Sequence, residues 1–273
     1  MVHIFSDSTS DLSPELLERF GVRIIPLSVF IAGKTYQDRV DITPQQLFDL
    51  VETQKQLPKT SAPAVSEFIH LFDTPSGDNI YIGISSKLSG TVQNAILAAQ
   101  APEGARTRVI DSLNLSTGIG LLVLRAAEAA QNGCTAAQIE NDILATVPKV
   151  RTSFVIDTLE YLHKGGRCTT LQSIASSLLK IRPVIEVRPD GTLGIKDKVR
   201  GSRSKALQSM LDDFKKNLPK IDPHRVFITH TGCDADAEFL QSEIQKMLPA
   251  AEVCITTAGS VIASHCGPDT IGI

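Results

Sequence analysis

Short apolar runs alternate with amphipathic stretches along the first half of the chain. The apolar runs predict strands, and the stretches between them, which carry helix-start signals, predict helices. The predicted strands are His3–Phe5, Val22–Ile31, Asn79–Ile84, Thr107–Ile110 and Ser153–Ile156. Because strands that alternate with helices form parallel sheets covered on both faces, this half predicts an α/β domain.

Capping residues mark where several of these helices begin. Ser13 stands before a proline, and Thr43–Gln46 and Thr135–Gln138 have the residue order of a capping box. A longer helix is predicted from about Ser116 to Gln131, and Ala32-Gly33-Lys34 predicts a turn after the second strand.

The second half of the chain has a different pattern. Two apolar runs flank Pro189-Asp190-Gly191-Thr192, which predicts a β-hairpin and therefore antiparallel pairing. The predicted strands are Pro183–Arg188, Leu193–Val199, Val226–Thr229 and Glu252–Thr256, and the predicted helices are Leu171–Leu179, Ser202–Leu218 and Asp234–Met247. We expect an N-terminal α/β domain (residues 1–157) with a mostly parallel sheet and a C-terminal α+β domain (158–273) with a mixed sheet.

Length and charge narrow the possible functions. A chain of 273 residues favours two domains. The chain has 27 basic and 30 acidic residues, a formal charge of −3, whereas nucleic-acid binding needs a basic surface. Aromatic residues make up 5% and tryptophan is absent, so base-stacking platforms are also disfavoured. We therefore expect no nucleic-acid partner.

Cysteines and apolar runs indicate the environment. The five cysteines include no C-x-x-C pair, and no His-Glu-x-x-His helix is present, so neither a disulfide framework nor a metal site is predicted. The N-terminus has no basic residue before its first apolar stretch, and no apolar run approaches the roughly 18 residues that span a bilayer. We expect a soluble cytoplasmic protein.

Hydroxyl-rich segments precede two predicted helices. Ser85–Thr91 follows a buried strand, at the edge where open α/β sheets bind ligands, and Thr60-Ser61 precedes a short apolar helix. Hydroxyls and free helix N–H groups together favour a small anion. The alternative is that these residues only cap helices and form turns.

Signatures of nucleotide binding and nucleophilic catalysis are incomplete. Neither G-x-x-x-x-G-K-[ST] nor G-x-G-x-x-G occurs in the chain. Gly83-Ile84-Ser85-Ser86-Lys87 begins like a nucleophile elbow, but Lys87 stands where the second glycine belongs. A hydrolase that uses Ser85 or Ser89 as its nucleophile stays an alternative.

Basic residues and one histidine lie in turns of the second half. Lys164–Arg167 and Val199–Arg203 combine glycine with arginine, which suits anion recognition, although solvated turns have the same composition. His265 precedes a Gly-Pro turn, where a structural role is the alternative.

Together these segments resemble one protein family. They are Asp7–Leu12, Lys59–Ser61, Ser85–Thr91, Asp111-Ser112 with Ser116-x-Gly118-x-Gly120, Lys164–Arg167 and Ser264–Pro268. In this order and spacing they resemble the DegV family over residues 1–273. That family comprises bacterial fatty-acid-binding proteins, the lipid-carrying subunits of a fatty acid kinase.

The resemblance implies a function and a set of partners. The protein is expected to hold one long-chain fatty acid, similar to palmitate or oleate, in an internal tunnel at the junction of the two domains. It would present the carboxylate to a separate fatty acid kinase, which forms the acyl phosphate used in phospholipid synthesis. The resemblance implies no enzyme activity, cofactor or metal in this chain, a cytoplasmic location, and transient contact with membranes at most.

The resemblance also implies site residues. The threonine and serine that bind the carboxylate match Thr60 and Ser89, and the residues expected beside them are Ser61, Gly90 and Thr91. The residues expected at the phosphate and partner end are Arg167, His265 and, as a weaker match, Arg200.

Three positions depart from the family pattern. Lys87 replaces a small residue, Ala62 replaces a polar residue after Thr-Ser, and Asp269 replaces the second glycine of Gly-Pro-Gly. Two other functions stay open: a serine-dependent acyl hydrolase and a regulatory interaction protein without a ligand.

Overall fold

The computed structural model describes residues 1–167 and 181–273. Its strands are β1 (Val2–Asp7), β2 (Arg23–Ile25), β3 (Ser28–Ile31), β4 (Lys34–Gln37), β5 (Lys59–Ser61), β6 (Asp78–Gly83), β7 (Thr107–Asp111), β8 (Ser153–Val155), β9 (Ile181–Val187), β10 (Leu193–Arg200), β11 (Arg225–His230), β12 (Glu252–Thr257) and β13 (Ile271–Gly272). Its helices are α1 (Pro14–Phe20), α2 (Pro44–Gln54), α3 (Val65–Phe72), α4 (Thr91–Ala99), α5 (Thr117–Gln131), α6 (Ala136–Thr146), α7 (Glu160–Gly165), α8 (Arg203–Asn217), α9 (Asp234–Met247) and α10 (Ser260–Cys266). The helix predicted at Leu171–Leu179 lies outside the described residues.

A parallel sheet of four strands, in the order β2-β1-β6-β7, forms the first layer. Its side chains alternate between two faces. Ile4 and Ile80 pack with α5 and α6, whereas Phe5 and Tyr81 pack with α3 and α4. The α/β architecture predicted from the alternating pattern is confirmed.

The strand order reverses at β1. The chain runs from β1 to β2 on one side and returns to β6 on the other. The polar segments after β1 (residues 7–11) and after β6 (residues 85–91) therefore lie at the carboxyl ends of adjacent strands. Open α/β sheets bind ligands at such a switch point.

The run Val22–Ile31 forms two strands rather than the one predicted. Pro26, which has no N–H for a sheet ladder, separates β2 from β3. β3 then pairs antiparallel with β4 and β5 in a small sheet. The turn predicted at Ala32–Gly33 joins β3 to β4, with φ values of 54° and 74°, as a type I′ hairpin requires.

A mixed sheet of six strands forms the second layer, in the order β10-β9-β8-β13-β11-β12. The predicted hairpin is present as β9 and β10, and β11 pairs parallel with β12. β8 pairs antiparallel with β9 and β13, so placing Ser153–Ile156 in the parallel sheet was wrong. Its apolar composition suits a buried strand in either sheet. The domain boundary at 157 stays a prediction.

One apolar cluster joins the two layers. It contains Ile82 from β6, Leu122 from α5 and Ile143 from α6, together with Ile185 from β9 and Phe227 from β11. Burial of apolar surface is the main favourable term in folding, so the two sheets stabilise each other across this cluster.

Two buried carboxylates hold the N-terminus of α10. Asp11 Oδ1 accepts a hydrogen bond of 2.7 Å from Gly259 N, and Asp38 Oδ1 accepts one of 2.6 Å from Ser260 N. Arg39 pairs with Asp11 at 3.1 Å. A Cβ on Gly259 would lie 2.8 Å from the Asp38 oxygens, so this approach requires glycine. Because free N–H groups and the helix dipole favour an anion here, these contacts fix the start of α10.

Asp38 is expected to make the stability of the folded protein depend on pH. Burial raises the pKa of its carboxyl to about 6, above the usual value near 4. Between about pH 4 and 6 the folded protein therefore keeps a proton that the unfolded chain has released, and stability falls as the pH rises through this window. Asp38→Asn removes this contribution. We expect the stability of the variant minus that of the parent protein to increase from pH 4 to 6 and then level off. Urea unfolding at four pH values checks this, and a difference independent of pH contradicts it.

Candidate functional site

Thr60 and His265, which are 205 residues apart in sequence, meet in the structure. Thr60 Oγ1 and His265 Nε2 share a hydrogen bond of 2.8 Å. Thr60 lies in the middle of β5 and not at a helix entry, because α3 begins only at Val65. Neighbouring residues of a strand face opposite sides, and Thr60 is half-buried while Ser61 is exposed. Only Thr60 of this pair faces His265.

His265 is held as a neutral imidazole. Burial, reinforced by the charge of Arg167, lowers its pKa to about 4. Its Nδ1 atom is buried and has no hydrogen-bond partner among residues 1–167 and 181–273. At neutral pH the ring therefore contributes hydrogen bonding to the site without a charge.

The last residue of α7 packs against this ring, and the turn that follows directs Arg167. A Cβ on Gly165 would lie 2.6 Å from His265 Nδ1, so only glycine allows the contact. Gly166 has a φ of +70°, which ends the helix and turns Arg167 toward the loop after β6. Arg167 Nη1 donates to Gly165 O at 2.6 Å, and its Nε donates to Leu88 O at 3.3 Å.

The loop after β6 supplies two hydroxyls at the start of α4. Ser89 Oγ and Thr91 Oγ1 are hydrogen-bonded at 2.8 Å, and Thr91 N donates to Ser89 Oγ at 3.4 Å. Gly90, between them, is exposed and precedes the first residue of α4. Ser85 is buried and donates to Gly191 O at 2.8 Å, which ties this loop to the β9–β10 hairpin.

Buried and half-buried carboxylates position this loop, and the sequence analysis assigned them no role. Asp7 Oδ2 accepts hydrogen bonds from Tyr81 Oη at 2.7 Å and from Ile84 N at 3.1 Å. Burial raises the pKa of Asp7. Asp111 accepts a hydrogen bond of 3.3 Å from Ser86 N. The sequence feature that could have identified both aspartates is their position at the carboxyl ends of predicted strands.

An apolar layer lies directly behind these polar groups. Leu88, which precedes Ser89, and Cys266, which follows His265, both belong to the cluster between the two sheets. Other members of this cluster come from the loop after β6, from α7, from the hairpin and from α10: Ile84, Leu162, Val187, Leu193 and Ile262. The site therefore combines a polar rim, formed by Thr60, Ser89, Arg167 and His265, with an apolar interior.

Other predicted residues lie apart from this group. Arg200 is exposed at the end of β10, and no described hydrogen bond or ion pair joins it to Thr60, Ser89, Arg167 or His265. Its role stays a prediction. Asp269 has a φ of +55°, a left-handed conformation that aspartate tolerates, so it adopts the backbone for which a glycine is usual.

The described part of the chain offers neither a cluster of metal ligands nor a membrane-spanning helix. No group of three His, Cys, Asp or Glu side chains is placed to hold a metal ion there. No helix in those ranges is long and apolar enough to cross a membrane.

Comparisons with known proteins agree over the whole chain. A family model described as "Uncharacterised protein, DegV family" matches residues 1–273. A DegV domain-containing protein of Caldanaerobacter subterraneus is 33% identical over 275 residues, covering 100% of this chain and 97% of the relative. A relative from Deinococcus radiodurans is also 33% identical, over 276 residues, with coverage of 100% and 97%.

Solved structures match with the same coverage. A fatty-acid-binding DegV family protein from Thermus thermophilus has a TM-score of 0.92 and 32% identity, covering 99% of this chain and 97% of its own. A stearic-acid-binding protein from Eubacterium ventriosum has a TM-score of 0.89 and 29% identity, with coverage of 100% and 97%. DegV of Bacillus subtilis, a fatty-acid-binding protein, has a TM-score of 0.89 and 26% identity, with coverage of 99% and 97%.

Gly165→Ala tests the packing that keeps His265 neutral. The added methyl group displaces the ring from Thr60 toward solvent, so the pKa of His265 is expected to rise from about 4 toward the usual 6.5. NMR titration of the imidazole measures this shift. Gly90→Ala is the matched control, because nothing lies within 4 Å of its Cβ position. An unchanged titration in the Gly165 variant contradicts the packing described.

Proposed function

This chain belongs to the DegV family, and we propose that it binds a long-chain fatty acid whose carboxylate is held by Thr60 and Ser89, with Arg167 and His265 at the phosphate and partner end. We further propose that it presents this carboxylate to a fatty acid kinase for conversion to an acyl phosphate. The observation that carries the proposal is the contact between Thr60 and His265, beside Arg167 and above an apolar layer. The similar structures named for bound fatty acids support the choice of ligand.

The chemistry of the rim suits a carboxylate. Thr60 and Ser89 offer hydroxyl donors, and Arg167 offers a guanidinium with paired donors. His265 is neutral at pH 7, so it offers hydrogen bonding beside Arg167 without adding a second positive charge. A hydrogen bond to a charged group contributes about 1.5–3 kcal/mol, which is enough to choose which end of the lipid faces out.

The apolar layer suits the tail. An acyl chain with about 14 methylenes gains roughly 11 kcal/mol on burial, at ~0.8 kcal/mol each and before entropy costs. Because this exceeds the headgroup contribution, we expect the tail to determine affinity and the hydroxyls to determine orientation.

The exposed position of Arg167 supports a role in presentation. An acyl phosphate carries more charge and more acceptor oxygens than a carboxylate, and a guanidinium matches them with parallel donors. In this proposal the partner kinase performs the phosphoryl transfer, and Arg167 and His265 receive or present the product.

A hydrolase is the second candidate, because a hydroxyl beside an imidazole is also the arrangement of a nucleophile and its base. Three observations weigh against it. A pKa near 4 makes His265 a weak base at neutral pH. Its Nδ1 has no carboxylate partner in the described ranges. Ser85 and Ser89, the serines singled out in the sequence, hydrogen-bond to Gly191 O and Thr91 instead.

Binding of acid and ester distinguishes these roles. We expect delipidated protein to bind both palmitate and methyl palmitate in a fluorescence displacement assay. Ser89→Ala and Thr60→Val are each expected to weaken palmitate binding by about tenfold or more, since each loses a hydrogen bond to a charge, and to leave the ester little changed. Ser61→Ala is the control, because its side chain lies on the opposite face of β5. Equal losses for acid and ester, or no binding of palmitate by the parent protein, contradict the proposal.

Acyl-phosphate formation tests the presentation role. With a cognate kinase and ATP supplied, Arg167→Ala and His265→Ala are expected to retain bound fatty acid and to lose most product. Lys164→Ala is the matched control, because Lys164 is a cation at the same helix end that pairs with Glu160 at 2.6 Å. Normal product from both stable variants contradicts the assignment.

A further inference from the structure

A cleft of about 540 Å³, which Tyr161 of α7 helps to line, lies outside the site described above. α2 forms one wall, and the segments after β11 and β12 and the turn after α10 form the other. The cleft is thus at the carboxyl ends of the parallel pair of the second sheet, an edge that α/β proteins use for ligands. Its volume falls within the range of binding sites. None of the residues proposed to bind the fatty acid lines it.

The cleft carries charge of one sign. Asp49 and Glu52 project from α2 and Asp269 from the opposite wall, and among the described residues no lysine or arginine lines the space. None of the three carboxylates has a cation within ion-pair distance in the described ranges. Arg203, whose pKa Asp269 helps to raise, is itself paired with Asp236. A cleft lined by one sign of charge focuses the field and attracts the opposite charge.

The floor of the cleft is aromatic. The rings of Phe48 and Tyr161 meet edge to face, with centroids 6.3 Å apart. Tyr161 packs tightly against Gly267, where an added Cβ would lie 2.9 Å from the tyrosine ring. This contact fixes the position of Tyr161 in the floor. Aromatic rings and carboxylates together recognise guanidinium and ammonium groups.

The separation of the carboxylates disfavours a metal ion and favours cationic side chains as the ligand. Within residues 1–167 and 181–273 they do not converge into a group that could hold a metal ion. The side chains of Gln45, Asp49 and Glu52, at the edge of the cleft, are exposed. Sites for small molecules instead enclose most of their ligand in apolar walls. An open, acidic groove with an aromatic floor suits cationic side chains delivered by a larger molecule.

We propose that this cleft binds an arginine- or lysine-bearing segment of a partner protein. The inference does not depend on the fatty acid. Tyr161 and Gly165 are both on α7, so the bound segment would contact the helix that packs against His265. A partner that docks here therefore lies beside the polar rim of the lipid site.

The test uses the full-length protein labelled with ¹⁵N and the capped peptide Gly-Arg-Gly-Arg-Gly. We expect saturable amide shifts at Phe48 and Gly232, and weaker binding in high salt. The double variant Glu52→Gln/Asp269→Asn, which neutralises both walls, is expected to weaken binding by about tenfold or more. Asn tolerates the left-handed backbone at 269. The matched control, Asp73→Asn/Glu103→Gln, removes the same charge from exposed positions outside the cleft and is expected to bind normally.

Four results overturn the proposal: no saturable binding at millimolar peptide, shifts confined to another surface, an equal loss in the control variant, or binding of free arginine amide as tight as that of the peptide. The last result would assign the cleft to a small organic cation. Palmitate binding by the cleft variant is expected to be unchanged. Peptide binding therefore tests the cleft, and palmitate binding tests the lipid proposal independently.

Discussion

Two buried carboxylates, Asp7 at the end of β1 and Asp11 just after it, hold together the parts of the site. Asp7 accepts a hydrogen bond from Ile84 N, at the start of the loop that carries Ser89. Asp11 accepts one from Gly259 N, at the start of the helix that carries His265. Both carboxyls are fully buried, and burial raises the pKa of each. Burying a carboxylate is costly unless every oxygen is paired, so these contacts are obligatory once the fold forms.

This constraint explains how the polar rim is built from distant segments. β1 is central to the parallel sheet, and its carboxyl end is the point where the strand order reverses. From there Asp7 reaches the loop after β6 and Asp11 reaches α10. Arg167 then closes the group through Leu88 O, and Thr60 through His265. The result is one cation and a neutral imidazole above an apolar layer, which suits a singly charged headgroup with a long tail.

Features specified by local chemistry could be predicted from the sequence. The capping boxes of α2 and α6, the Ala32–Gly33 turn and the β9–β10 hairpin all depend on neighbouring residues, and all are present. Pairing partners are a tertiary property, so the sheet to which β8 belongs could not be read from its apolar run. The contact between Thr60 and His265 has no local signal either; only the family resemblance singled out both residues. The acidic cleft also has no local signal, because α2 and the turn at Pro268-Asp269 that line it are far apart in sequence.

The location of the carboxylate in a crystal structure of the palmitate complex tests the central claim most directly. The account predicts a carboxylate oxygen within about 3.2 Å of both Thr60 Oγ1 and Ser89 Oγ, with the tail among the apolar residues between the two sheets. A carboxylate bound elsewhere, or a tail that leaves this apolar layer empty, would contradict it.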